Sequence, residues 1–132
     1  MTSVPQLTDR LIKRGDGWQI GWDAGAAEFC GLVGDNHWAF ELTRSELGDF
    51  CRLVEQLADT LQAIATELMA EERIACEAET ETLWLEAEGF ADRYTLHLIL
   101  QTGRRCEAHW NETAARELTT AARTIRIFSG LL

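Results

Sequence analysis

Four glutamates, Glu77, Glu79, Glu86 and Glu88, stand at alternate positions on two short stretches, with Trp84 between them. At that spacing they share one face of neighbouring strands, where like charges repel and call for compensation. An arginine such as Arg73, a divalent cation or a basic partner would supply it. Oxygen-rich sites suit magnesium or calcium, yet no stretch has the spacing of a calcium loop. The cluster is therefore read as a solvated acidic surface whose working use is docking a basic protein partner. Its candidate contact residues are Glu77, Glu79, Trp84, Glu86 and Glu88.

A second constellation is smaller. His97 and His109 are expected to face each other across the last hairpin, and Glu107 lies on the same polar face. Two imidazoles can begin a metal site, but a site needs a third ligand, and Glu107 is the only nearby candidate. The reading taken is a partly exposed histidine pair, with no metal, cofactor or catalytic residue assigned. His37 falls in a turn without a suggested partner. The chain has no G-x-S-x-G, no P-loop, no G-x-G-x-x-G and no H-E-x-x-H, so an enzyme is not expected.

Basic residues are sparse, with Lys13 the only lysine. Arg104 and Arg105 sit at a hairpin tip, and Arg116 and Arg123 lie one heptad apart on the last helix. These four are the candidates for a nucleic-acid surface, which would also need stacking aromatics beside a basic groove. Trp18, Trp22, Trp38 and Trp110 fall on apolar faces, where packing under a helix accounts for them. Only Trp84 shares a face with polar residues.

Strands and helices must position these groups. Trp18, Ile20 and Trp22 alternate with polar or small residues; Phe29, Gly31 and Val33, then Trp38, Phe40 and Leu42, continue the pattern. Turns are read at residues 24–27 and at Gly34-Asp35-Asn36. Pairing Val33 with Trp38, Gly31 with Phe40 and Phe29 with Leu42 keeps the apolar side chains on one face. Thr43 opens the capping box T-R-S-E. Leu47, Phe50, Val54, Leu57, Leu61, Ile64 and Leu68 then predict a helix from about Arg44 to Ala70, about 40 Å long. The second half repeats the plan. Apolar faces run through Ile74, Cys76 and Ala78, through Leu83, Leu85 and Ala87, through Tyr94, Leu96, Leu98 and Leu100, and through Cys106, Ala108 and Trp110. Leu96 pairs with Trp110, Leu98 with Ala108 and Leu100 with Cys106. Asn111 is the N-cap of a helix carrying Ala115, Leu118, Ala122, Ile125 and Phe128.

The two strand-to-helix junctions superpose at an offset of 68: Leu42 on Trp110, cap Thr43 on cap Asn111, Leu47 on Ala115. The expectation is an α+β fold of antiparallel sheets and two helices, a single domain over 1–132 whose pseudo-repeat units span about 15–70 and 73–129. Met1 to Arg14 contains no apolar run that would make a signal peptide, and no stretch is apolar enough for a membrane span. Cys30, Cys51, Cys76 and Cys106 lie far apart inside apolar patterns, which predicts reduced, packed thiols and a cytoplasmic setting.

The strings G-W-Q-I-G-W-D (17–23), G-L-V-G-D-N-H-W-A-F-E-L-T (31–43), E-L-M-A-E-E-R-I-A-C-E-A-E (67–79) and L-I-L-Q-T-G-R-R (98–105) resemble a cyanobacterial family known only as domain of unknown function 1818. The resemblance covers the chain from about Leu7. It implies a fold similar to the single-stranded-DNA-binding transcription regulators of the positive-cofactor-four and Whirly type, and no assigned activity.

Three function classes follow. The first is a non-enzymatic binding or assembly factor docking a basic protein, as a monomeric pseudo-dimer or weak homo-oligomer. The second is a single-stranded nucleic-acid regulator through Arg104, Arg105, Arg116 and Arg123. The third is a small-molecule site between sheet and helix. The formal charge of −10 opposes phosphate binding. It is concentrated: residues 53–92 hold eleven acids and one base, Arg73, while the remainder balances.

Overall fold

A computed structural model describes residues 10–67 and 72–131. Strand β1 (Arg10–Gly15) is followed by β2 (Trp18–Asp23), β3 (Gly31–Gly34), β4 (Ala39–Leu42) and helix α1 (Arg44–Glu67). Strands β5 (Ile74–Glu79), β6 (Leu83–Phe90), β7 (Arg93–Leu100) and β8 (Glu107–Trp110) precede α2 (Glu112–Ser129). Each set of four strands forms an antiparallel meander in sequence order. This is the expected α+β architecture, a strands-then-helix unit used twice.

The periodicities explain the layers. In β6 and β7, Leu83, Leu85, Leu98 and Leu100 are fully buried and alternate with more accessible residues, so one face packs and the other stays open. In α1, Leu47, Phe50, Val54, Leu57 and Leu61 are buried at the expected 3- and 4-residue steps. Each helix reaches across to the other unit. Helix α1 lies chiefly against β5 and β6, while α2 packs on β2 and β7 and against α1. One hydrophobic core results, drawn from both units. Trp110 ties them further, its indole N–H donating to the Gly34 carbonyl at 3.0 Å.

Both predicted caps form. The Thr43 N–H donates to Glu46 Oε1 at 2.8 Å and the Glu46 N–H to Thr43 Oγ1 at 3.2 Å. The Asn111 side chain accepts from the Ala114 N–H at 2.9 Å, and Gly130 ends α2 in the left-handed region.

Four details differ from expectation. Strand β1 lies in the N-terminal segment that lacks an apolar run, so the strands of the first unit start at Arg10 rather than near residue 15. Its side chains are half-buried or exposed and show no clean alternation, but Asp16-Gly17 between two six-residue strands was the hairpin signal. Gly17 supplies the positive φ of 85° which that turn demands. The β3–β4 register pairs Gly31 with Leu42 and Val33 with Phe40, two residues from the predicted pairing. Asp35 accepts from the His37 and Trp38 N–H groups, and its own N–H donates to the Trp38 carbonyl, so Trp38 belongs to the turn. A slip of two preserves side-chain parity, so Val33 and Leu42 are buried on the expected face. Phe29 likewise lies outside β3. On α2 the predicted stripe stops at Ile125, and Phe128 is exposed beside Ile127. The predicted end of the first helix at Ala70, together with Leu68 and Glu71, lies outside the described residues.

Candidate functional site on the second sheet

The open face of the second sheet collects most of the sequence's chemical candidates. Strand register places Glu77, Glu86, His97 and His109 in one row across all four strands. The adjoining row is Glu79, Trp84, Ile99 and Glu107. Glu77 and Glu86 are direct cross-strand partners, the like-charge arrangement inferred from the alternation. Glu88 shares the face and meets Arg73 at 3.0 Å, the one arginine–glutamate pair on this face among the described residues. Gln101 donates to Glu79 Oε2 at 3.2 Å and the Trp84 indole N–H to Glu77 Oε2 at 3.3 Å. Ile99, 36% exposed, is the cross-strand neighbour of Trp84 and adds apolar surface at the centre of the acidic face. Ile99 escaped the sequence reading, although its parity in β7 places it on this side.

The histidines stand as predicted. His97 is the register partner of His109, and the two rings stack with centroids 3.9 Å apart. Both Nε2 atoms turn to Glu107 Oε1, His97 at 2.7 Å and His109 at 3.5 Å. The contact with His97 holds the Glu107 carboxyl below its ordinary value, outweighing slight desolvation. Trp84 meets the His97 ring edge-on at 5.0 Å.

The arginine candidates are not gathered into one patch. Arg104 pairs with the buried Glu46 and lies over the Phe29 ring, 4.5 Å from its centroid. Arg105 is exposed at φ 47° in the same hairpin turn. Arg123 and Arg126 both clamp Glu55 of α1, at 2.7 and 2.6 Å. Arg116 lines a groove of about 530 Å³ with Lys13, Trp18, Arg93, Glu117 and Thr120, between the first sheet, the β6–β7 turn and the first half of α2. The acidic stretch is thus partly internal: Glu55 is spent on α2, whereas Glu77, Glu79, Glu86 and Glu88 face outward.

The four cysteines are free thiols, two of them, Cys30 and Cys51, buried. Burial pushes the Cys51 thiol up to about 12, so it is a packing group rather than a nucleophile. No helix among the described residues is long and apolar enough to cross a membrane.

The sequence matches the family described as domain of unknown function (DUF1818) over residues 13–125. The chain belongs to the DUF1818 family. No curated protein matches it. It is similar to the crystal structure of a protein of unknown function from the DUF155 family of Prochlorococcus sp. NATL2A, with 29% identity and a TM-score of 0.80 over 88% of this chain and 98% of that one. Both descriptions give the function as unknown, and the chemistry of this DUF1818 chain rests on its own residues.

Proposed function

We propose that this DUF1818 protein is a non-enzymatic binding or assembly factor that docks a basic protein through the open face of its second sheet. The carrying observation is the pairing of Glu77 with Glu86 across β5 and β6, flanked by Glu79 and Glu88. Facing carboxylates cost stability, so a sheet that presents them has another use for the field they create. Trp84 and Ile99 lie within that field and offer a rigid aromatic anchor beside an aliphatic one, the composition of an interface centre with a charged rim. The field steers encounter with a lysine- and arginine-rich surface, while the anchors hold it.

Resemblance to the single-stranded-DNA-binding regulators suggests nucleic acid as the alternative, but Arg104 and Arg123 are engaged with Glu46 and Glu55. The small-molecule reading finds its support in the groove around Trp18 and Arg116. Both remain behind docking because neither assembles a one-sign field.

Charge reversal tests the proposal. Glu77→Lys, Glu79→Lys, Glu86→Lys and Glu88→Lys together should abolish co-purification of basic partners from the native host. Circular dichroism should match that of the parent protein. An unchanged partner list with the fold intact would refute docking through this face.

A further inference from the structure

We propose that His97, Glu107 and His109 form a binding site for one divalent transition-metal ion of the zinc type on the open face of the second sheet. The inference concerns a different ligand from the docked protein and is tested on the purified chain alone, so either reading can fail without the other.

One ligand atom from each of the three side chains lies within 4.8 Å of the other two. The His97 and His109 Nε2 atoms approach the same carboxylate oxygen, at 2.7 and 3.5 Å. Tetrahedral zinc, with ligand bonds near 2.0–2.1 Å, sets its donor atoms about 3.4 Å apart. The His109–Glu107 separation already has that value, and the His97–Glu107 pair needs to open by about 0.7 Å to match it. The rings stack 19° from parallel, so each must turn about its side-chain axis to aim a lone pair at a common point. That torsion is broad and soft for histidine.

The backbone fixes what a metal site needs fixed. His97 and His109 are register partners on adjacent strands, and Glu107 lies two residues before His109 on the same strand and face. Sites on strands hold their ligands more closely than sites on loops. Trp84, edge-on to His97, limits the swing of that ring. Glu86, the partner of His97 on its other side, and Glu77 beyond it add negative potential that favours a cation. The side chains of His109 and Glu107 are 68% and 57% exposed, which gives an ion a direct approach and leaves a fourth position for water.

Donor chemistry selects the class of ion. Two imidazoles and one carboxylate suit zinc, nickel or copper, whereas magnesium and calcium prefer all-oxygen shells. The acidic cluster alone would have pointed to the latter pair; the histidines reverse the choice.

Equilibrium dialysis of the untagged protein against zinc, with a phosphine reductant, tests the assignment. One equivalent should bind, and His109→Ala and Glu107→Gln should each weaken binding at least about tenfold. His37→Ala and Cys106→Ser should bind as the parent does. Cobalt substitution gives an independent reading on the parent chain: visible d–d bands without the thiolate charge-transfer absorption of a sulfur ligand. Absence of saturable binding, binding indifferent to His109→Ala and Glu107→Gln, or a site lost in Cys106→Ser would each overturn it.

Discussion

Glu46 carries more of the fold than its place in a capping motif suggests. The T-R-S-E string announces the reciprocal bonds with Thr43, and both are present. The same carboxylate also accepts from the Thr102 hydroxyl at 2.7 Å and from the Arg104 guanidinium, 56 and 58 residues further along the chain. No local pattern could have announced those partners, because sequence spacing says nothing about which hairpin tip folds back on a helix start. Burial pushes the Glu46 carboxyl up, but the Thr43 N–H, Thr102 and Arg104 together outweigh it and hold it below the ordinary value. Glu46→Ala removes a cap and strands a hydroxyl and a guanidinium at once. It should cost about 2 kcal/mol in urea-induced unfolding. A change within a few tenths of a kcal/mol would mean that the hairpin tip does not depend on this anchor.

Helix α1 repeats the device along its length. Asp49 accepts from the Thr80 and Thr82 hydroxyls, at 2.8 and 2.6 Å, and from Arg52, while Glu55 takes Arg123 and Arg126. Burial raises both carboxyls, and these bonds more than reverse it, leaving each below its ordinary value. Folding therefore lowers all three of these α1 acids. Their stabilisation is complete above the unfolded-chain value of about 4 and is lost as pH falls through the lower folded values. Melting temperature should fall steeply below about pH 4; a melting temperature that held or rose there would contradict the anchoring role of α1. The strand and helix patterns of the chain were legible because apolar alternation and 3–4 spacing determine which face is buried. Strand β1 was not, since its half-exposed residues lack that alternation, and the β3–β4 register turned on Asp35 gathering two backbone N–H groups. On the second sheet, parity alone placed His97 opposite His109 and the glutamates on one side, whereas the closeness of the three metal-ligand candidates needed side-chain geometry.

Across the whole molecule the repeat is strict only where strand meets helix. The offset of 68 carries β4 onto β8 and the start of α1 onto that of α2, while the earlier strands drift with their loop lengths. Helix α1 crosses onto the second sheet and α2 bridges the two sheets, which covers one face of the second sheet and leaves the opposite one open. The net charge of −10 is thereby resolved into parts. Glu46, Asp49 and Glu55 are internal anchors, whereas Glu77, Glu79, Glu86, Glu88 and Glu107 stand on the open face around Trp84 and Ile99. Carbodiimide cross-linking in native-host extract reads docking on that face, since it joins carboxylates to lysines only where they touch. Partner lysines should become linked to Glu77, Glu79, Glu86 and Glu88. Links confined to other acids, such as Glu112 and Glu117 beside the Trp18 groove, would contradict it.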